Sequence, residues 1–352
     1  MALLSRHGLI RLALQGLSAT RADRWLPKAK DAAGLVVTLH HVRPEDKARA
    51  EKPAAFAPNA LLSVTPEFLD RFLAHFAAKG WRFVPLDEIL SSQNADPRRM
   101  AITLDDGYRN NLEHAGPVFK RHNAPFTIYV CPGFCDRGAE LWWEALERII
   151  AGADAIASPG VGSAEMLSTR GPDEKQRAFR QWTAWLTTEA DETTQRAAIR
   201  DLAARHGLDL GALAAELVMD WDEVRTIAAD PLCTIGAHTM THPALARLTP
   251  QGAFGEMAAS ADRIGAEIGR RPTTIAFPYG YPAAAGSREA RLADEAGFSG
   301  SFTTQPGYIP VAGSRHGLPR VSLNGLYQDL SFTDVLLNPG LWKVRDRIRR
   351  RH

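Results

Sequence analysis

Short apolar runs along the chain alternate with segments whose apolar residues recur every three or four positions. The runs predict buried β-strands, and the periodic segments predict amphipathic helices. Strands are predicted over 35–39, 81–86, 100–104, 125–130, 232–237, 273–277, 300–304 and 318–323. Helices are predicted over 66–79, 250–268 and 287–296. Because strands and helices alternate, the pattern indicates an α/β fold with a parallel sheet, and the number of strands favours a barrel over an open sheet.

The stretch from about Glu140 to Ala229 departs from this alternation. It contains helical patterns at 174–187, 193–206 and 221–228. A loop rich in Gly, Ser and Pro lies at 157–163. We interpret it as a helical insertion, about 140–229, above the barrel. The barrel domain then covers 34–330, between an amphipathic segment 1–33 and a tail 331–352.

Both ends of the chain are basic. The first segment carries cations among leucines at helical spacing: Arg6, Arg11, Arg21, Arg24, Lys28 and Lys30. The simplest interpretation is two terminal helices docked on the domain, and the alternative is peripheral contact with an anionic membrane surface. Since no aromatic residues or motif accompany the arginines, we expect no nucleic-acid partner. The oligomeric state is not indicated by the sequence.

Composition narrows the class of protein only slightly. Hydrophobic residues make up 45% and charged residues 23% of 352 residues, and the net charge is +2, all ordinary for a globular protein. No run resembles a secretory signal or a membrane span. The three cysteines, Cys131, Cys135 and Cys233, include no C-x-x-C pair. They predict free thiols in a reducing compartment, and hence a cytoplasmic protein or one peripheral to the inner face of the membrane.

Ionisable residues follow two of the predicted strands. Asp105 and Asp106 follow 100–104, whereas His238 and His242 follow 232–237. Taken separately, the aspartates are typical of a simple turn and the histidines of a surface pair. In a parallel barrel, however, both strand ends lie on one rim. One carboxylate and two imidazoles can bind a divalent metal, which leaves a second carboxylate to act as a base, so the pair indicates a metal-assisted hydrolase.

Three motifs carry a family resemblance. The sequence T-L-D-D-G-Y at 103–108 resembles the T-F-D-D-G motif of the NodB-type polysaccharide deacetylases, and H-T-M-T-H at 238–242 resembles their H-[ST]-x-[ST]-H motif. F-P-Y-G at 277–280 resembles their third motif, R-x-P-Y-G. The resemblance extends from Leu35 to Arg320. It implies a distorted (β/α)7 barrel that removes N-acetyl groups from N-acetylglucosamine-containing oligo- or polysaccharides, as a chitooligosaccharide deacetylase does, and releases acetate.

The resemblance also implies roles for individual residues. Asp106, His238 and His242 match the metal ligands, usually of Zn²⁺ and sometimes of another divalent ion. Asp105 matches the general base, and Tyr279 matches the residue whose backbone N–H helps to hold the oxyanion. Besides Tyr279, the candidates for substrate contact are His40, Tyr108, Trp142, Trp143 and Pro278, although core packing is an alternative for the two tryptophans and for His40.

The chain departs from the family pattern in two places. Ala276 stands where the third motif has an arginine that orients the base, and Arg320 is our candidate for its replacement. The late L-x-x-H motif, which supplies the proton donor, is absent in that form. His316 is the nearest candidate for this acid.

Three other functions compete with the polymer deacetylase. An amide hydrolase of the same fold could act on a nucleotide-linked or lipid-linked sugar. The alanine at the third motif also admits a non-catalytic carbohydrate-binding domain. Two histidines and one carboxylate occur in non-haem iron oxygenases as well, but there the carboxylate is usually adjacent to one histidine on an all-β fold.

Overall fold

A computed structural model describes residues 6–20, 29–45, 56–160 and 162–342, with only the backbone for 6–10. The strands are β1 (Ala32–Leu39), β2 (His41–Val42), β3 (Ser63–Val64), β4 (Arg82–Phe83), β5 (Arg99–Leu104), β6 (Phe126–Val130), β7 (Ala155–Ala157), β8 (Met166–Ser168), β9 (Cys233–Ala237), β10 (Thr274–Ala276), β11 (Gly300–Phe302), β12 (Tyr308–Pro310) and β13 (Val321–Ser322). The helices are α1 (Arg6–Ala19), α2 (Pro66–Ala78), α3 (Leu86–Leu90), α4 (Gly116–Arg121), α5 (Pro132–Cys135), α6 (Trp142–Gly152), α7 (Pro172–Thr188), α8 (Glu192–Arg205), α9 (Leu210–Leu217), α10 (Trp221–Ala228), α11 (Pro250–Ile268), α12 (Ser287–Glu295) and α13 (Leu330–Leu336).

Parallel strands form a curled sheet in the order β11-β10-β9-β6-β5-β1. The chain entering β13 connects the two edges of this sheet. Leu318 pairs with Phe302 at the end of β11, and Val321 pairs with Val37 of β1, both in parallel. The predicted (β/α)7 barrel is therefore confirmed. Its distortion comes from the short last strands and from β12, which adds to β1 in the antiparallel direction.

The strand register brings the carboxyl ends of distant segments to one rim. Leu39 lies opposite Leu104, and Val130 lies opposite Ala237. The next residues along the chain include Asp105 and His238, so both motifs emerge on the same rim. Strands β6 and β9 are adjacent in the sheet although a helical stretch separates them in sequence, and β6 lies between β9 and β5.

Side chains alternate between two cores. One face of β1 and β5 packs against the outer helices, and the other face turns into the barrel. The barrel interior contains Val36, Ala101, Tyr129, Ala276 and Phe302. Helix α3 packs on the amino end of this interior, where Gly300 leaves room for Leu90. The interior is therefore sealed at the amino end, and the opposite rim is left for a ligand.

The outer layer is built by amphipathic helices. Helix α2 begins at the cap Thr65, whose side chain accepts the N–H of Phe68, and it buries one face against the sheet. The three cysteines are free and buried, as expected for reduced thiols. Among the described helices, none combines the length and the apolar character needed to cross a membrane.

The stretch between β6 and β9 contains helices α5 to α10 and a small antiparallel hairpin of β7 and β8. The hairpin was not predicted. At the amino end, α1 packs on α13 through Leu14, Phe332 and Val335. Residues 21–28 and 343–352, which carry much of the basic charge of the two chain ends, lie outside the described residues. Their contact with a membrane therefore stays a prediction.

Candidate active site

Asp106, His238 and His242 converge on the rim of the barrel. The Oδ1 atom of Asp106 lies 3.4 Å from Nε2 of His238 and 3.2 Å from Nε2 of His242. All three side chains are buried. Two donors of a tetrahedral ion with bonds near 2.05 Å are about 3.3 Å apart, so the spacing fits one divalent ion. Oδ1 of Asp106 is also buried without a hydrogen-bond partner among the described residues, which a bound cation would supply.

The ring of His238 is oriented by a backbone contact. Its Nδ1–H donates to the carbonyl oxygen of Ala276 over 2.8 Å, which leaves Nε2 to face Asp106. Ala276 is the residue that replaces the arginine of the third motif. Its side chain is buried inside the barrel, so an arginine at this position would project into the same interior.

Asp105 forms a buried bidentate ion pair with Arg320. Nη1 and Nη2 of the guanidinium lie 2.7 and 2.8 Å from the two carboxylate oxygens, and Arg320 is 0% exposed. Nη1 also donates to the hydroxyl groups of Thr38 and Thr103, and Nε donates to the carbonyl of Thr303. Arg320 thus enters the barrel interior from the start of β13, and its guanidinium hydrogen-bonds residues in or directly after β1, β5 and β11.

The charges around Asp105 set its protonation state. Burial alone would raise the pKa of this carboxyl group, but the positive charge of Arg320, followed by that of His238, lowers the pKa overall. Asp105 is therefore a carboxylate at neutral pH. It can accept a proton while its two oxygens are held in a fixed orientation.

Backbone strain is concentrated at this site. Six described residues other than glycine have positive φ, and four of them are Asp106 at 70°, Thr239 and His242 at 62°, and Tyr279 at 61°. Such conformations cost about 1–3 kcal/mol each and persist where the surrounding structure maintains them. The turns that present the metal ligands are therefore held in place by neighbouring contacts.

The turn at Tyr279 presents a backbone donor. Its carbonyl oxygen accepts a hydrogen bond from the Thr304 hydroxyl over 2.8 Å, whereas its N–H donates to no acceptor among the described residues. The following residue, Gly280, has φ of 63°, and a Cβ there would lie 2.4 Å from the backbone nitrogen of Thr304. Glycine is required for this close approach. The free N–H of Tyr279 can hydrogen-bond a ligand oxygen.

A cavity of about 410 Å³ opens above these groups. Such a volume is within the range of small-molecule sites. Its lining residues are His40, Leu62, Asp105, Asp106, Trp142, Trp143, His238, His242, Tyr279, Tyr281, Thr304 and Ser322. The indole Nε1–H of Trp142 donates to the Tyr279 hydroxyl over 2.8 Å, which fixes two aromatic walls relative to each other. Four of the lining residues belong to no motif that predicts a role in the cavity: Leu62, Tyr281, Thr304 and Ser322.

Two residues predicted to contact substrate lie outside the lining of the cavity. Tyr108 is fully buried: its hydroxyl accepts from Nε1 of Trp143 over 2.9 Å, and its ring lies 3.5 Å from that of His41. Pro278 is buried as well. Neither residue lines the cavity. His40, Trp143 and Tyr279 do line it.

The residue predicted as proton donor, His316, also lies outside the cavity. Its Nε2 lies 3.4 Å from Oδ1 of Asp294, and the residue lines a separate groove beside α12. The neighbouring Gly317 donates its N–H to the hydroxyl of Ser301 in β11. His316 precedes the last strand, whereas the rim is formed where strands end, so the structure places it away from Asp105, Asp106 and His238.

Removal of one histidine tests the metal site. We expect His238→Ala to weaken binding of a divalent ion by at least about 100-fold, because second-shell losses alone typically cost about 10–100-fold. Equilibrium dialysis with elemental analysis measures the stoichiometry. His316→Ala, outside the cavity, is the matched control and should bind like the native protein. Stoichiometric metal retained by His238→Ala would contradict the ligand assignment.

Comparisons with known proteins agree with this geometry. The sequence model described as polysaccharide deacetylase matches residues 92–298, more than half of the chain. Among curated protein sequences, none is similar enough to count as a match. The fold is similar to that of the Streptococcus pyogenes deacetylase PplD, solved in complex with acetate. That chain is 16% identical with a TM-score of 0.55, over 89% of this chain and 99% of that one.

Two other solved structures share the fold. IcaB from Ammonifex degensii is 16% identical with a TM-score of 0.51, over 88% of this chain and 98% of that one. The de-N-acetylase from Aggregatibacter actinomycetemcomitans is 14% identical with a TM-score of 0.55, over 86% and 99%. At these identities the likeness establishes the fold.

Proposed function

Since this chain belongs to the polysaccharide deacetylase family, we propose that it is a metal-dependent hydrolase that removes N-acetyl groups from an N-acetylated carbohydrate and releases acetate. The observation that carries the proposal is the carboxylate pair. Asp106 lies with two imidazoles in a metal-binding geometry, while Asp105 is held ionised by Arg320 on the same rim. The arginine contact also favours an enzyme over a non-catalytic binding domain, because the residue missing at Ala276 is supplied from another strand.

The mechanism assigns one task to each group. A divalent ion held by Asp106, His238 and His242 would polarise the amide carbonyl and lower the pKa of a bound water. Asp105 accepts the proton of the attacking water, and Arg320 keeps its oxygens oriented. The N–H of Tyr279 donates to the oxyanion, a contact that is worth about 3 kcal/mol in comparable sites.

The leaving amine must receive a proton, and we propose His40 as its donor. It follows β1 on the rim and lines the cavity. Among the described residues that line the cavity, the other two imidazoles are assigned to the metal. Tyr279, a further O–H donor, has a pKa raised well above its usual value by burial, so its phenol is a weak acid.

Leaving-group chemistry tests this assignment. We expect His40→Phe to lower kcat for an N-acetylated sugar by about 10²-fold or more, the usual contribution of a general acid. An aryl acetate, whose leaving group needs no proton, should be cleaved at close to the native rate. Both substrates are compared with metal binding verified by elemental analysis. An equal loss on both substrates would contradict the role of His40.

We further propose that the substrate is an N-acetylglucosamine oligomer or polymer of the chitooligosaccharide type, and that the ion is Zn²⁺. The aromatic walls Trp142, Trp143, Tyr279 and Tyr281 support a sugar, because aromatic faces match the C–H surfaces of pyranose rings. A nucleotide-linked or lipid-linked N-acetyl sugar is the alternative. A cytoplasmic location, with membrane contact through the basic ends, is a proposal that rests on the sequence.

A substrate panel tests the reaction. Metal-loaded protein is incubated with N-acetylchitooligosaccharides of increasing length, a nucleotide-linked N-acetyl sugar and a lipid-linked one, and acetate and free amine are quantified together. Equimolar acetate and amine from the oligomers are expected. Release from the linked sugars alone would replace the oligomer by that substrate class, and release from none would contradict the proposed reaction.

A further inference from the structure

The loop that carries His238 and His242 is held by hydrogen bonds to Thr241 from two sides. On one side, the N–H and the hydroxyl of Thr241 each donate to the carboxylate of Glu256 in α11 over 2.8 Å. On the other side, Nη2 of Arg196 donates to the Thr241 carbonyl over 2.7 Å and to its hydroxyl oxygen over 3.1 Å. Because Thr241 directly precedes His242, these contacts fix the backbone from which the ligand projects.

Arg196 belongs to helix α8 of the insertion, so the insertion reaches the metal loop. A second contact joins the same parts: the N–H of Ala244 donates to the buried carboxylate of Glu192 over 3.1 Å. Arg247 donates to the carbonyls of Leu186 and Ala190, at 3.0 and 2.8 Å, at the end of α7. The segment that follows His242 is thus hydrogen-bonded to the insertion at Ala244 and at Arg247.

Arg196 is itself held by a buried carboxylate. Its Nη1 donates to Glu140 over 2.9 Å, and the Glu140 side chain is 8% exposed. Arg200 binds the other oxygen of Glu140 but makes no described contact with Thr241. The two arginines therefore share one partner, and they differ in their contact with the metal loop.

The two histidines are supported in different ways. Nδ1 of His238 is bound to a backbone carbonyl, whereas Nδ1 of His242 is buried without a partner among the described residues. The His242 ring is therefore placed by its backbone and by packing against Phe134, Trp143 and Tyr279, without a hydrogen bond to its Nδ1 from the described residues. Both Thr239 and His242 have left-handed backbone conformations, which persist where neighbouring contacts maintain them.

We propose that Arg196 is a positioning residue for the metal site and that the helical insertion acts through it to hold His242 in ligand geometry. This inference rests on the proposed metal site. Without the guanidinium, the carbonyl of Thr241 loses its donor from the insertion and the strained turn can relax. Nε2 of His242 then moves relative to Asp106, and metal affinity falls.

The test compares Arg196→Met with Arg200→Met. Each variant removes one cation from Glu140 and leaves the other, so the buried carboxylate keeps a partner in both. We expect Arg196→Met to raise the Kd of Zn²⁺, measured by competition with a chromophoric chelator, by about 10–100-fold, as other losses around metal ligands do. Arg200→Met should stay within about twofold of the native Kd. The visible spectrum of bound Co²⁺ should change in the first variant alone.

A second measurement uses the metal-free protein. The amides of residues 239–242 should exchange hydrogen faster in Arg196→Met than in Arg200→Met, and Arg196→Lys, which keeps one donor, should be intermediate. Equal Zn²⁺ affinity and exchange in the two methionine variants would overturn the inference, even where the native protein binds metal and releases acetate. A native protein that binds no metal would overturn the proposed site itself, together with this inference. If Arg196→Met fails to fold, Arg196→Lys with unchanged Co²⁺ spectrum and exchange overturns the positioning role.

Discussion

Asp105→Asn is expected to lower kcat for acetate release by about 10²–10⁴-fold, the usual contribution of a general base. Asparagine has nearly the shape of aspartate, but its amide cannot accept the proton of the attacking water. The neighbouring Asp106, His238 and His242 remain, so the variant should still bind one divalent ion. Loss of turnover with metal retained is the signature of a missing base.

Stability must be controlled in this experiment, because Asn at 105 leaves the guanidinium of Arg320 buried without its carboxylate. Activity is therefore measured well below the unfolding midpoint of the variant, with circular dichroism as the check. Asp294→Asn, at the exposed groove, is the control and should keep native turnover. Undiminished acetate release by folded Asp105→Asn would remove this residue from the role of base.

Arg320→Met should destabilise the protein and change its pH profile. Removing one partner of a buried ion pair typically costs about 3–5 kcal/mol, and Arg320 is fully buried against Asp105. The arginine also lowers the pKa of Asp105, so its loss raises that pKa. Since a base works in its deprotonated form, the acidic limb of kcat/KM against pH should move to higher pH.

The two effects are measured separately. Urea unfolding at neutral pH gives the loss of stability, and pH profiles at a temperature where the variant is folded give the shift of the limb. Arg320→Lys keeps the charge but loses the two parallel hydrogen bonds, so its acidic limb of kcat/KM should lie between those of the native protein and of Arg320→Met. An acidic limb that stays in place in Arg320→Met would show that this arginine does not tune the base.

Much of the barrel could be predicted because strands buried on both faces are continuous apolar runs. The runs at 100–104 and 232–237 correspond to β5 and β9 almost residue by residue. The hairpin of β7 and β8 was missed because its short strands flank a loop rich in Gly, Ser and Pro. The last predicted strand is reduced to Val321–Ser322, because Leu318 pairs with Phe302 while Val321 and Ser322 pair with β1, and Pro319 between them has no N–H to donate.

The candidate site, like the fold, could be predicted from the sequence only in part. The cluster of Asp106, His238 and His242 could be predicted because its two motifs are local and follow recognisable strands. Sequence adjacency to a motif does not predict which side chains are exposed to the cavity, and Tyr108 and Pro278, predicted as substrate contacts, are buried outside its lining. Tyr281 and Ser322 meet at the cavity only because the barrel closes, a non-local event that no short motif encodes.

The most direct measurement is a metal titration of the metal-free protein with acetate release as the readout. A divalent ion is added in steps while bound metal and the rate of acetate formation from an N-acetylated oligosaccharide are recorded. We expect the rate to rise in proportion to bound metal and to level off at one equivalent per chain, with no rise in His238→Ala. Acetate release by the metal-free protein, or one bound equivalent without release from any N-acetylated sugar, would contradict a metal-dependent deacetylase built on Asp105, Asp106, His238 and His242.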